Sequence, residues 1–573
     1  VVVDPLDTAV FIRSDPTLRK EGPFFHERAV LPVSSHHLLL AMRGLRITFL
    51  LACFLMSGFA ARAVVAQNAD LSFLLTAAER THFDETTRYD EVMAFIDVAA
   101  AQHPDLHVSH FGYSVEGRRL PLVVFGKVPD ATPESIMRSD KMRIFVQANI
   151  HAGEVCGKEA LLMLIRSLAS GEHAAWADSV VLMMAPIYNA DGNERVNLYN
   201  RPRQNGPYGG MGQRPNAQGL DLNRDHMKAR SPEAQSLIGL MNAYDPHVLV
   251  DLHTTNGTRH GYHLTYSSPL NPNTDGAIDS LLREEMLPAV RSELQERTGW
   301  DSYWYGNLPF RRGEAGWYTF DHRPRFNNNY IGLRNRLAIL SEAYAYASFE
   351  ERILSSLHFV EAIVDYSIQN AGTIRDAIAE AEVRSQPGLE QGLRFESLRN
   401  AASTAIRMGT VEERINPYSG APFFSRLDST YFQEMPEYGA FSAIESSTIP
   451  DRYVVLSDAA ADVSDLLRRH GIAYSRVQEA GQQHVESFVV DSTRAAERAF
   501  QGVNERTVWG HWVSSDTEIP AGSLVVPTDA NQARLVFYLL EPRSDDGMVN
   551  WGLLEDWVEP GATYPILRSL SKN

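Results

Sequence analysis

From about residue 71 to 370 the chain alternates two kinds of apolar pattern. Short, nearly continuous apolar runs occupy 143–150, 180–187, 247–253 and 337–340. Segments 154–169 and 349–368 instead carry apolar residues at helical spacing. A run that is apolar at every position has no solvent-facing side, so these runs predict strands covered on both faces. Strands alternating with helices predict an α/β fold: a mixed, mostly parallel twisted sheet with helices on both faces. Ligand sites in such sheets form where strands end and loops begin. Between 197 and 219 lies a stretch rich in Gly, Pro, Asn and Arg. It reads as a long loop, and loops of that length inside a compact domain are usually functional.

Beyond residue 370 the pattern changes. Residues 370–395 are polar and helical in character, as expected of a connector. Strand-like runs at 452–456, 472–477 and 523–527, with helical spacing up to 469 and again over 531–540, predict a smaller C-terminal α/β domain. The expected division is a main domain at 67–375, a linker at 376–395 and an accessory domain at 396–573. Residues 1–41 lack periodicity and read as non-native upstream translation or disorder. Met42 then opens a basic stretch with Arg43 and Arg46, an apolar run over 47–61, and small residues before Gln67. This is the pattern of a signal peptide at 42–66, too short to span a membrane. A secreted or periplasmic protein is expected, with no membrane association after cleavage. Of two cysteines, Cys53 would leave with the signal, so Cys156 has no partner for an intramolecular disulfide. A net charge of −18 argues against nucleic acid and anionic membrane surfaces as partners.

The candidate chemistry sits at strand ends. His151-Ala-Gly-Glu154 follows the first strand and opens a helix; Asp251-Leu-His253 ends another strand. Two imidazoles and one carboxylate make a three-ligand zinc site with an open fourth position, the catalytic pattern. Leu220-Asp221-Leu-Asn223-Arg224 adds an Asn-Arg pair suited to clamp a carboxylate. Glu342, in Leu340-Ser-Glu342-Ala, is a carboxylate ending an apolar strand, which is costly without a role.

Together these segments resemble the zinc carboxypeptidase family, that of carboxypeptidase A, over about residues 85–370. Gly112-Tyr-Ser-Val-Glu-Gly117-Arg118 and Asn189-Ala-Asp191-Gly192 extend the resemblance, in the family's order. It implies one zinc per chain on His151, Glu154 and His253, with Glu342 as general base and Asp221 orienting His151. Asn223, Arg224 and Tyr318 would hold a substrate's terminal carboxylate, with Tyr330 the alternative to Tyr318. Arg203 would polarise the scissile carbonyl, with Arg201 its rival. Gly153 departs from the family, whose digestive members carry Arg there. The resemblance thus implies a zinc metallocarboxypeptidase acting on peptides with a free C-terminal carboxylate. An amidase or deacylase on the same scaffold, or a non-catalytic binding module, are the other readings. Asp321, Arg323 and Arg325 suggest a basic pocket that prefers acidic terminal residues.

Overall fold

The computed structural model describes residues 70–309, 314–529 and 531–569. The expected signal peptide and the stretch before it lie outside the described residues. The chain first lays down β1 (Leu106–Tyr113), β2 (Arg119–Phe125), β3 (Met142–Ala148), β4 (Val180–Ala185) and β5 (Val248–Thr254). It continues with β6 (Leu264–Ser267), β7 (Ser302–Trp304), the short β8 (Trp317–Tyr318) and β9 (Leu337–Ala343). Eight of these form one sheet in the order β1-β2-β4-β3-β5-β9-β6-β7, and β4, β3, β5 and β9 run parallel at its centre. The mixed α/β class expected from the pattern is therefore the fold.

Every residue of β3, β4 and β5 is buried, so both faces of the central sheet are covered. The covering helices are α1 (Tyr89–Ala100), α2 (Cys156–Ala169), α3 (Pro232–Tyr244), α4 (Leu287–Thr298) and α5 (Phe349–Gln369). Helix α5 packs on α2 and α4, while α3 packs on β1. Local sequence fixes where they start. Ser231 caps α3 by accepting from Ala234 N at 3.1 Å, with Pro232 at the first helical position. Ser348 and Glu351 form a reciprocal capping box on α5. Gly157 lets α2 seat closely on β5, because a Cβ there would meet Leu252 Cβ at 2.5 Å.

The segment read as a connector holds α6 (Ala371–Arg384), which buries Ile374, Ala377, Ile378 and Ala381. Then come β10 (Glu390–Leu398), β11 (Thr404–Ile415), β12 (Pro422–Met435), β13 (Glu437–Tyr438) and β14 (Ala440–Thr448). Strands β10 and β14 pair, as do β11 and β12, while β13 joins β8 in parallel. The last region is a six-stranded sheet with order β16-β19-β15-β20-β17-β18. Its strands are β15 (Arg452–Val455), β16 (Ser475–Arg476), β17 (Gly481–Ala495), β18 (Arg506–Ile519), β19 (Leu524–Pro527) and β20 (Ile566–Ser569). Helices α7 (Ala460–His470) and α8 (Ala533–Leu540) accompany it, and α7 packs on α3.

Candidate active site

Strand ends β3, β5 and β9 meet side by side, which brings His151, Glu154, His253 and Glu342 to one edge of the sheet. In register, His253 lies beside Glu342 on the neighbouring strand. His151 Nδ1 faces Glu154 Oε1 at 2.9 Å, and His253 Nδ1 faces Glu154 Oε2 at 2.8 Å. All three side chains are buried, and one donor atom from each lies within 4.8 Å of the others. The outer ring nitrogens face carboxylates: His151 Nε2 is 3.1 Å from Asp221 Oδ1 in a hydrogen bond, and His253 Nε2 lies within ion-pair distance of Asp251 Oδ2, at 3.0 Å. Such outer partners fix ring orientation and leave both Nδ1 atoms aimed at the common centre. Two imidazoles and a carboxylate converging in a buried pocket fit a zinc ion in chemistry and in spacing.

Charge at the site is dense. Burial alone would raise the Glu154 carboxyl, but Arg201, His151 and His253 outweigh it and hold it well below the ordinary range. Asp221 is likewise held well below its usual value, burial being overcome by His151, Arg214 and Arg224. Glu342 behaves oppositely. Burial pushes its carboxyl up to about 8, with Glu154 adding to the rise and His253 opposing it. A divalent cation among the three ligands would favour the ionised form of Glu342. The residue keeps a little surface open to the pocket, yet its Oε2 is enclosed with no hydrogen-bond partner among the described residues.

The cavity in front of the ligands is lined by Asn223, Arg224, Arg201 and Arg214, and on its apolar side by Tyr305, Phe320, Phe326 and Leu340. Asn223 accepts from Asn327 N through Oδ1 at 2.8 Å. The Arg224 guanidinium lies 3.8 Å over the Phe326 ring and donates to Asn223 O at 2.7 Å. Its Nη1 also lies 3.9 Å from Asp221 Oδ2, and the residue lines the cavity. Arg214 pairs with Asp221 through Nε at 2.9 Å and reaches His151 Nδ1 at 3.3 Å. Arg201 is ion-paired with Glu154.

The structure thus brings His151, Glu154, His253, Asp221, Asn223, Arg224 and Glu342 together. It places Arg203 in a neighbouring cavity with Pro202, Gln204 and Tyr346. Tyr318 stacks on Tyr438 at 4.2 Å and donates to Glu314 O, away from the metal pocket. Tyr330 is fully buried, its hydroxyl 2.7 Å from His470 Nδ1. Tyr305 and Arg214 line the pocket instead, and sequence reasoning passed over both. The basic pocket expected from Arg323 and Arg325 does not form. Arg323 pairs with Asp321 at 2.8 Å, and Arg325 is buried against Asp546 at 2.8 Å and Glu505 at 2.6 Å.

The remaining motifs are supports. Asp191 accepts from Ser114 Oγ at 2.7 Å, Glu116 N at 2.9 Å and Arg118 Nη1 at 2.7 Å, which locks residues 112–118 onto the Asn189–Gly192 turn. A Cβ at Gly153 would meet Gly212 O at 2.9 Å and Arg201 Cδ at 3.0 Å. There is no room for a side chain at 153, and Arg201 lies alongside it.

Converging ligands, a carboxylate beside them and arginines around the cleft define a zinc metallopeptidase. Residues 92–256 match the zinc carboxypeptidase family model. Carboxypeptidase 2 of Trichophyton tonsurans is 24% identical over 485 residues, covering 79% of this chain and 81% of that protein. Carboxypeptidase 2 of Trichophyton rubrum is 23% identical over 483 residues, covering 79% and 81%. Among solved structures, carboxypeptidase A of Helicoverpa armigera is 16% identical with a TM-score of 0.37, covering 52% of this chain and 75% of its own. A metallo-carboxypeptidase of Pseudomonas aeruginosa is 18% identical with a TM-score of 0.36, covering 50% and 70%. The chain is thus similar to zinc carboxypeptidases, with the family match confined to residues 92–256. No helix among the described residues is long and apolar enough to cross a membrane.

Proposed function

We propose that this chain removes the C-terminal residue of peptides, with His151, Glu154 and His253 holding the zinc ion. The supporting observation is the shared cavity. Glu342 and Arg224 line the same space as the three ligands. Zinc held there supplies Lewis acidity toward a carbonyl oxygen and acidifies water. Asn223 and Arg224 bind the terminal carboxylate; the stacked guanidinium offers two parallel donors. Tyr305, at the cavity wall, closes over the terminal residue in place of Tyr318. Arg214, already beside His151, polarises the scissile carbonyl in place of Arg203. Glu342 takes a proton from water through its carboxylate and passes it to the leaving amine.

Asp221 and Asp251 keep both imidazoles oriented throughout. The readings as an amidase or a binding module have no observation in their favour. Glu342→Gln tests the proposal: it should bind zinc as the parent does and lose most of kcat. Near-normal turnover would put the base elsewhere. We also read 42–66 as an export signal, so the secreted protein should begin near Gln67; an exported protein retaining Met42 would contradict this. Residues 67–375 form the catalytic domain in this proposal and 396–573 the accessory one.

A further inference from the structure

The long loop ahead of Asp221 has no strand ladder to hold it, so the Asp221 backbone N–H needs another acceptor. It finds one 280 positions away: Asp221 N donates to Gln501 Oε1 at 2.8 Å. Asp221 is the residue on which the site turns. Its carboxylate faces His151 Nε2 and accepts from Arg214, and it caps the turn that carries Asn223 and Arg224 by accepting from Asn223 N at 2.9 Å.

Gln501 is itself held firmly. Phe500 and Val503 exchange backbone hydrogen bonds of 2.7 and 3.0 Å around Gln501 (φ 51°) and Gly502 (φ 75°). Two central residues at positive φ describe the tight turn that hairpins favour, where Asn-Gly is the usual choice. A glutamine in the left-handed region is uncommon and carries a conformational cost. The turn is anchored through Phe500. Phe500 stacks on the buried Trp551 at 6.3 Å, and the Arg325 guanidinium lies 4.4 Å over Trp551. Arg325 directly precedes Phe326, the ring beneath Arg224. The C-terminal region therefore grips the carboxylate clamp from two directions, at Asp221 and behind Phe326.

We propose that Gln501 is a positioning residue for the metal site, holding the Asp221 backbone so that Asp221 keeps His151 in its ligating orientation. This rests on the assignment of His151 as a ligand. Water could satisfy the same N–H but would not fix its place; a side chain carried on a hydrogen-bonded turn does. The role explains why a turn of the C-terminal sheet reaches into a zinc carboxypeptidase site at all.

The test is zinc affinity of the full chain, read by competition with a chelator, with the thermal midpoint of zinc-free protein as a second readout. Gln501→Met keeps length and removes the acceptor. It should raise the zinc dissociation constant about three- to tenfold, the loss of one hydrogen bond acting through a ligand's partner, and move the zinc-free midpoint little. Gln501→Glu keeps an acceptor oxygen at the same reach and should restore affinity to within about twofold. Parental affinity in Gln501→Met overturns the proposal. So does a Gln501→Glu protein that binds as weakly as Gln501→Met. If the parent protein itself binds no zinc, the ligand assignment falls instead.

Discussion

At the scale of single residues, the candidate site is largely legible in the sequence, because residues able to hold a metal are few in type and stand here at strand ends. His151, Glu154, His253, Asp221, Asn223, Arg224 and Glu342 could all be picked out, and they share one pocket or its rim. The arginines and tyrosines could not be told apart. Arg201, Arg203 and Arg214 lie in one irregular loop, where no periodicity says which side chain turns inward. Gln501 carried no signal, since its contact joins positions 280 apart. Close packing makes one residue prediction sharp. A Cβ on Gly212 would meet Ala152 O and Gly192 O, both at 2.5 Å. Gly212→Ala should therefore lower stability by about 1–3 kcal/mol, the usual cost of overpacking. It should also weaken zinc binding, because Ala152 follows His151. A parental denaturation midpoint would show that the loop simply gives way.

At the scale of elements, legibility follows burial. Strands β3, β4, β5 and β9 are covered on both faces and read as unbroken apolar runs. Strand β17, of 15 residues, and β18, of 14, bury only a few positions each, as does the β11–β12 pair. With both faces largely in water, no apolar alternation marks them, and the region between 390 and 448 carries no legible pattern. Helix α6 reads as a connector because its apolar stripe is only four residues. The elements are tied together by buried ions. Asp546 is fully buried and meets Arg325 through its backbone N at 2.6 Å and its Nε at 2.8 Å. Arg325→Ala would leave that carboxylate without its cation. It should cost about 3–5 kcal/mol, seen as a lower midpoint in chemical denaturation. A change under 1 kcal/mol would mean that water replaces the guanidinium.

At the scale of the whole molecule, acid should unfold the protein early. Burial lowers the pKa of His226 to about 4, and of His247, His260, His263 and His470 to about 3. An unfolded histidine titrates near 6.5. Between those values the unfolded chain binds protons that the folded chain refuses, so the stability these groups contribute is complete above pH 6.5 and is lost as pH falls, toward 4 for His226 and toward 3 for the others. The thermal midpoint of the zinc-free protein should drop steeply over that window. A flat profile would mean that these imidazoles are protonated in the folded state. The central claim, a zinc site built around a terminal-carboxylate clamp, is tested most directly by one comparison. The rate of terminal-residue release from a blocked peptide with a free C-terminus is measured against that for its C-terminal amide, in the parent and in Arg224→Ala. Charge-assisted hydrogen bonds contribute about 1.5–3 kcal/mol each, so losing two should favour the acid by roughly two to four orders of magnitude in kcat/KM. Arg224→Ala should erase most of that preference. Equal cleavage of acid and amide by the parent protein would contradict the account.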